Sequence, residues 1–519
     1  MPRPQGANAI TDNRIHQLLE RQAQQRPEAV ALWWQGQPTT YASLNERVQE
    51  VAGRLAATGA RGDRIGVLAW NCPQFLELMY AVPASGRILV PLNARLAPAE
   101  LIYQLQSAGV SSLFAEQELL EPLLQQQAMP RDLAVIDLAT EYEQWLQSGP
   151  MAPLPASDAD DPVWILHTSG STGRPKGAVL THRSFLAALR AGALGRPVRP
   201  TDRYLYPFPL FHVSAHNVLL QHQYGAAVIL TRSFDPVTTL AACRDLQVTT
   251  LSLAPTMIAM LLEHPDFNPG DLQSVRTIGY GASAMPESLL KRLLAQTNVG
   301  LCQGYGMTEL SGSAAFLTVE DHVRAATTKP KLLQSVGKPL PTARVKVVGE
   351  SGQTCTTGDS GEILVKGEQC MRGYWNDPDA TARTIIDGWL HTGDIGRFDE
   401  EGYLYIVDRK KDMIISGGEN IASREVEEVI RRHPAVKDCA VIGIPDARWG
   451  ETMCAVLQLT TQISDHELSE HCKAFLANYK TPRRWARIEA LPVNAAGKVD
   501  KPSLRKNEAV LRQIQTYST

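Results

Sequence analysis

The sequence predicts an α/β protein: a large N-terminal domain of two doubly wound αβ sheets plus a small β-barrel, with a smaller α+β C-terminal domain after it. Three observations predict this. Two regions alternate short apolar runs with stretches of helical length, the signature of parallel βαβ units. From about residue 334 the runs shorten and alternate around a Gly-rich segment. Beyond Arg409, helix and strand patterns mix in a stretch long enough to be a domain of its own.

The first sheet rests on RIGVLAW (64–70), ILVPLN (88–93) and SSLFAE (111–116). The second rests on VTTLSL (248–253), SVRTIGY (274–280) and VGLCQGY (299–305), with Pro286 placed to open a helix over ESLLKRLLAQ. ARVKVV (343–348) and GEILVKG (361–367) supply the barrel, and DEEG (399–402) turns the chain between DIGRF and YLYIVD. In the C-terminal part, REVEEVIRRHP is a helix stopped by Pro434. VKDCAVIGI and ETMCAVLQL are strands, and a last helix covers 464–477. The division is 1–408 and 409–519.

Composition excludes several classes. A chain of 519 residues exceeds the size at which single cores stop growing, and 44% hydrophobic with 20% charged residues is ordinary globular usage. Lys plus Arg number 51 against 54 Asp plus Glu, with no basic block, so nucleic acid is not an expected partner. Eight cysteines without a CxxC pair fit a reducing cytoplasm better than a disulfide framework. The N-terminus lacks an apolar signal region, and the greasiest stretch, 251–262, is too short for a transmembrane segment.

The most informative segment is VWILHTSGSTGRPKGAVLTH (163–182), where a buried-strand run enters a loop of Ser, Thr and Gly that ends in Lys176. Small side chains let backbone N–H groups approach phosphate oxygens, hydroxyls add donors and the lysine adds a charge. It is not a Walker A loop, since Gly177 follows the lysine where Ser or Thr would stand. That disfavours an ATPase or kinase of that type. A flexible Ser/Gly loop is the plain alternative. QGYGMTE (303–309) and GYGAS (279–283) end neighbouring predicted strands, where open parallel sheets bind ligands. Tyr305 offers a stacking face, Thr308 a hydroxyl and Glu309 a hard oxygen for Mg²⁺. Taken alone, Glu309 is a solvated loop acid.

TSGSTGRPKG, YGMTE, WLHTGD (389–394), DRKKDMIISGGENI (408–421) and NAAGKVDK (494–501), in this order, are similar to the adenylate-forming (AMP-binding) superfamily, which includes acyl- and aryl-CoA synthetases. The likeness covers nearly the whole chain and is greatest to bacterial fatty-acyl-CoA synthetases. It implies a mobile C-terminal domain and an ATP-dependent acid–thiol ligase: a carboxylic acid becomes acyl-AMP with release of pyrophosphate, then a CoA thioester. ATP, Mg²⁺ and coenzyme A are the implied cofactors. An acyl-AMP ligase serving a carrier protein, a non-catalytic ligand-binding relative and a homodimer stay open as alternatives and partners.

The resemblance also implies roles. Thr168, Ser169, Gly170, Ser171, Thr172, Gly173 and Lys176 would hold the β- and γ-phosphates. Gly281, Ala282, Ser283 and Tyr305 would line the adenine pocket, while Thr308 and Glu309 meet the α-phosphate and metal. Gln303, Gly304, Gly306, Met307 and Ile406 are carried over as further cofactor-binding positions. Asp394 and Arg409 would hold the ribose, though without the resemblance one is a turn residue and the other a solvated charge. Lys498, otherwise a surface lysine, would bridge carboxylate and α-phosphate. His212, otherwise a core histidine, would gate the acyl pocket from the pantetheine tunnel, and Lys411 would be the hinge. Gly417, Gly418, Glu419 and Trp449 would meet CoA. Ser423 departs from the pattern, standing where many relatives carry proline.

The implied acyl wall spans 212–219, 280–283 and 306–312, with Val213, Val218, Leu219, Met307 and Leu310 and no Lys or Arg. It suits a neutral-tailed monocarboxylic acid, medium-chain fatty or aryl, over a dicarboxylic or amino acid. His216 adds one polar ring that could bond a hydroxyl or keto group.

Overall fold

The computed structural model describes residues 12–168, 175–281, 285–410, 412–416, 419–446, 450–476, 478–494 and 497–515. The chain divides into two compact units, Met1–Val345 with Val365–Leu390, and Lys346–Leu364 with His391–Thr519.

The first unit holds two sheets of the expected kind. In one, Pro162–Thr168, Ile88–Pro91, Arg64–Leu68, Val110–Ala115 and Ala134–Asp137 run parallel as neighbours. Lys176–Thr181 and Gly373–Tyr374 add antiparallel strands at one edge. In the other, Gly300–Met307, Thr277–Tyr280, Thr250–Ser252, Arg203–Tyr206, Ala227–Leu230 and Val30–Trp34 are parallel neighbours. Gly312–Leu317 and Lys338–Pro339 extend it antiparallel on one side, Gln37–Thr40 on the other. Strands covered on both faces need apolar side chains at successive positions. That is why Ile88, Leu89 and Val90 are all buried and why their stretch shows no alternation.

Helix starts follow local chemistry. Pro286 is the N-cap of Glu287–Gln296. Thr181 caps His182–Gly195: its hydroxyl oxygen accepts from Ser184 N at 3.1 Å, and its own N–H donates to Ser184 Oγ at 2.9 Å. The strand that carries Lys176 therefore passes directly into a fixed helix.

In the second unit, residues 394–398 pair antiparallel with Leu404–Arg409. Their turn is closed by Asp399, whose Oδ1 accepts from the N–H groups of Glu401 and Tyr403, and by Gly402 at φ +79°. The Thr392 hydroxyl donates to the Ile363 carbonyl at 2.8 Å, tying in the 346–364 arm. A five-stranded sheet follows, with Val436–Asp446 antiparallel to Gly450–Leu459 and Arg484–Arg487 parallel to it. Alternation sorts its faces. Cys439, Val441, Ala455 and Leu457 pack with Val426, Val429 and Leu468 of two helices, Ser423–Ile430 and Asp465–Lys473. Ala440, Ile442, Cys454 and Val456 pack on the other face with Leu504 and Val510. The last of these helices ends at Lys473 rather than 477. Among the described residues, no helix is long and apolar enough to cross a membrane.

Candidate functional site

Strand ends in the first unit bring several expected residues together. Thr168 closes Pro162–Thr168 and is the register partner of Lys176, its hydroxyl 3.5 Å from the lysine carbonyl. Ser169, Gly170, Ser171, Thr172 and Gly173 lie outside the described residues. Lys176 Nζ sits 5.2 Å from the ring centroid of Tyr374, within cation–π range. The Tyr374 hydroxyl in turn donates to Glu309 Oε1 at 2.9 Å. Lysine and carboxylate thus stand on one tyrosine.

Glu309 is not a solvated loop acid. It is only 6% exposed and belongs to the 3₁₀ turn Thr308–Leu310 at the end of Gly300–Met307. Its carbonyl accepts from Met371 N at 2.8 Å, and Ser311, at φ +54°, returns its N–H to Thr308 O at 2.9 Å. Burial and the Glu309 charge raise the Tyr374 hydroxyl above its ordinary range, so it remains a donor. None of the described residues bonds Glu309 Oε2.

The two glycine-rich turns lie side by side, since Tyr280 and Gln303 are register partners in parallel strands. A Cβ on Gly281 would stand 2.9 Å from the Gly304 carbonyl oxygen, and one on Gly306 would collide with the Gly312 carbonyl. Only glycine leaves this cradle open. Beneath it, the Tyr280 hydroxyl lies 2.9 Å from His322 Nε2 and 3.3 Å from the buried Gln303 Oε1. Tyr305 and Met307 are half-buried, while Ala282 and Ser283 lie outside the described residues. His212 is half-buried, edge-on to Phe211 with ring centroids 4.8 Å apart. Burial, reinforced by Arg95, lowers it to about 4, leaving a neutral ring at neutral pH. Val218, Leu219 and Leu310 are fully buried.

In the second unit, Asp394 and Arg409 are register partners with Arg409 Nε 2.6 Å from Asp394 Oδ1. Asp394 is a buried strand residue, not a turn residue, and the side chain of Arg409 is 42% exposed. Ile406 pairs with Gly396 in the same hairpin. Lys498 occupies a separate turn, exposed, its N–H on Asn494 Oδ1 at 3.1 Å and its carbonyl accepting from Asn494 N at 2.7 Å. Glu419 contributes backbone to the strand Glu419–Ile421. Lys411, Gly417, Gly418 and Trp449 lie outside the described residues.

Ser423 has a structural use that proline would abolish. Its N–H and its hydroxyl both donate to Asp408 Oδ2, at 2.5 and 2.8 Å, and its Oγ accepts from Lys501 Nζ at 2.5 Å. Burial pushes the Asp408 carboxyl up, and Lys501 opposes that shift. Proline suits the first helical position, so Ser423→Pro tests the hydrogen bonds themselves. It should destabilise the protein by about 1–3 kcal/mol, with Ser423→Ala intermediate, read as a fall in the denaturation midpoint.

Two residues at the site have no signal in a sequence motif. Tyr374 sits in a two-residue edge strand, Gly373–Tyr374. Arg196, 6% exposed, donates to Ser252 Oγ at 2.8 Å, to Thr250 Oγ1 and to the Leu251 carbonyl at 2.9 Å, fixing the strand beside the glycine turns.

The family model for an AMP-binding enzyme matches residues 19–375, and that for an AMP-binding enzyme C-terminal domain matches 425–498. A feruloyl-CoA synthase of Amycolatopsis sp is 38% identical over 491 residues, 94% of this chain and 97% of that one. A long-chain-fatty-acid–CoA ligase of Mycobacterium tuberculosis is 35% identical over 474 residues, 90% of this chain and 92% of the relative. Among solved structures, o-succinylbenzoate coenzyme A synthetase from Bacillus subtilis in complex with ATP and magnesium ion aligns with a TM-score of 0.83 at 32% identity, over 94% of this chain and 99% of that one.

Proposed function

We propose, from the premise that this chain belongs to the AMP-binding enzyme family, that it is an AMP-forming acyl-CoA synthetase for a carboxylic acid with a neutral fatty or aryl tail. The observation that carries this reading is the joining of Lys176 and a buried Glu309 through Tyr374, beside a cradle that a Cβ would fill. Such a site fits a nucleoside triphosphate: a cation for terminal phosphates, close backbone for a flat base, and a carboxylate with one oxygen left for a metal.

In the first half-reaction a carboxylate oxygen attacks the α-phosphorus of ATP and the bond to pyrophosphate breaks, leaving acyl-AMP. In the second, the CoA thiolate attacks the acyl carbon and AMP departs. Thr168 and Lys176 hold the β- and γ-phosphates, and Gly281, Gly304 and Tyr305 receive the adenine. Thr308 meets the α-phosphate, Glu309 the metal, and Asp394 with Arg409 the ribose. Magnesium supplies charge neutralisation on the phosphates. Lys498 stabilises charge as the acid attacks. Neutral His212 gates the acyl pocket, and residues 409–519 turn about 409–411 between half-reactions to present 417–419 and Trp449 to CoA.

The tail assignment rests on a wall without Lys or Arg and on relatives named for feruloyl and long-chain fatty acyl groups. All eight cysteines are free, which fits a cytoplasmic enzyme. The test is acid-dependent pyrophosphate release, with and without CoA, for octanoate, cinnamate, malonate and phenylalanine. Octanoate or cinnamate should give the highest kcat/KM, with CoA consumed. Malonate or phenylalanine in first place would overturn the tail assignment, and no acid-dependent release would overturn the reaction.

A further inference from the structure

One polar ring in the implied acyl wall has half of its bonding complete. His216 opens the helix His216–Gln223 and is 7% exposed. Its Nδ1 lies 2.8 Å from the Val213 carbonyl oxygen. A carbonyl only accepts, so Nδ1 carries the proton. Burial holds the ring below the ordinary histidine range, so at neutral pH it is uncharged. Its Nε2 is then a lone-pair acceptor.

Two other buried histidines of this unit have the same arrangement. His222 donates from Nε2 to Ala31 O at 3.0 Å and accepts the Tyr80 hydroxyl on Nδ1 at 2.8 Å. His322 donates from Nδ1 to Thr318 O at 2.7 Å, and its Nε2 accepts the Tyr280 hydroxyl at 2.9 Å. In both, a phenolic O–H completes a neutral imidazole. His216 has the carbonyl half, but none of the described residues offers its Nε2 a hydrogen. That nitrogen faces Gly312, where a Cβ would stand 3.3 Å from Nε2 and 3.2 Å from the Ala188 methyl. Any side chain at 312 would press on the acceptor. Gly312 opens the strand that follows the turn with Glu309, one residue beyond it, so the acceptor lies against the chain leading out of that turn.

Resting on the ligase reading above, we propose that His216 Nε2 accepts a hydrogen bond from a hydroxyl at the distal end of the acid, making hydroxyaryl carboxylic acids the preferred substrates. A methyl, a methoxy group or an alkyl tail has no hydrogen to give and, packed over Nε2, would close it off from water without a partner. Sites built to bond a substrate hydroxyl reject the analogue that lacks it.

The full-length protein is assayed with ATP, magnesium and CoA on isosteric pairs: para-hydroxybenzoate against para-methylbenzoate, and para-hydroxycinnamate against para-methylcinnamate. The wild type should favour the hydroxyl member of at least one pair by about tenfold or more in kcat/KM. His216→Leu should bring that ratio to one or below. His216→Gln, whose Oε1 can accept, should retain part of it. A ratio near one for both wild-type pairs, or a ratio unmoved in His216→Leu, overturns the proposal while leaving the ligase reading intact. Absence of AMP release with all four acids overturns the ligase reading itself. Should His216→Leu fail to fold, calorimetric binding of each pair to the wild type decides: tighter hydroxy acid binding supports the proposal, and equal or weaker binding overturns it.

Discussion

Glu309→Gln should lower acid-dependent pyrophosphate release by about 10²-fold or more, the scale seen when one preorganised electrostatic contact to a transition state is lost. The substitution is nearly isosteric. Glutamine Oε1 can still accept from the Tyr374 hydroxyl, and the backbone bond from Met371 N to the residue 309 carbonyl is untouched. What disappears is the charge. The thermal midpoint should therefore stay near that of the wild type while the magnesium concentration giving half-maximal rate rises. Thioester formation from supplied acyl-AMP, which uses no triphosphate, should be much less affected. A variant with the wild-type rate and magnesium dependence would remove Glu309 from the metal site.

Tyr374 marks the limit of what the sequence discloses about this site. The strand runs, the glycine-rich turns and Glu309 at its strand end are legible because each is local: apolar runs covered on both faces, small residues where backbone must approach, a carboxylate at a strand end. The tyrosine that joins Lys176 to Glu309 is 65 residues from its carboxylate. Its position depends on the pairing of Gly373–Tyr374 with residues 178 and 179, and no periodicity specifies the partner of so short an edge strand. The same limit explains why Val30–Trp34 could not be assigned beside Ala227–Leu230. Burial is also nonlocal. In a one-dimensional reading Glu309 looks like a solvated loop acid and Asp394 like a turn residue, because their covering residues come from elsewhere in the chain. His216 differs again: the sequence locates the ring, but which nitrogen is engaged depends on the backbone fold at Val213.

Lys498→Ala should slow acyl-AMP formation by at least about 10²-fold and leave the second half-reaction largely intact. Two bonds in its turn use only backbone atoms of Lys498, its N–H to the Asn494 side-chain Oδ1 and Asn494 N to its carbonyl, and alanine retains both. Lys498 is exposed, where substitutions usually change stability little, and an unchanged denaturation midpoint in the variant would assign a large loss to chemistry rather than folding. The selectivity follows from where charge develops. When a carboxylate attacks the α-phosphorus, negative charge accumulates between two anionic groups, and a cation placed there lowers the barrier. When a thiolate displaces AMP, the centre attacked is a neutral acyl carbon and that bridging position is no longer needed. The two half-reactions can be measured separately, as acid-dependent exchange of pyrophosphate into ATP and as CoA thioester formed from synthetic acyl-AMP. Loss confined to the exchange assigns Lys498 to adenylation, whereas equal loss in both assays would exclude that assignment.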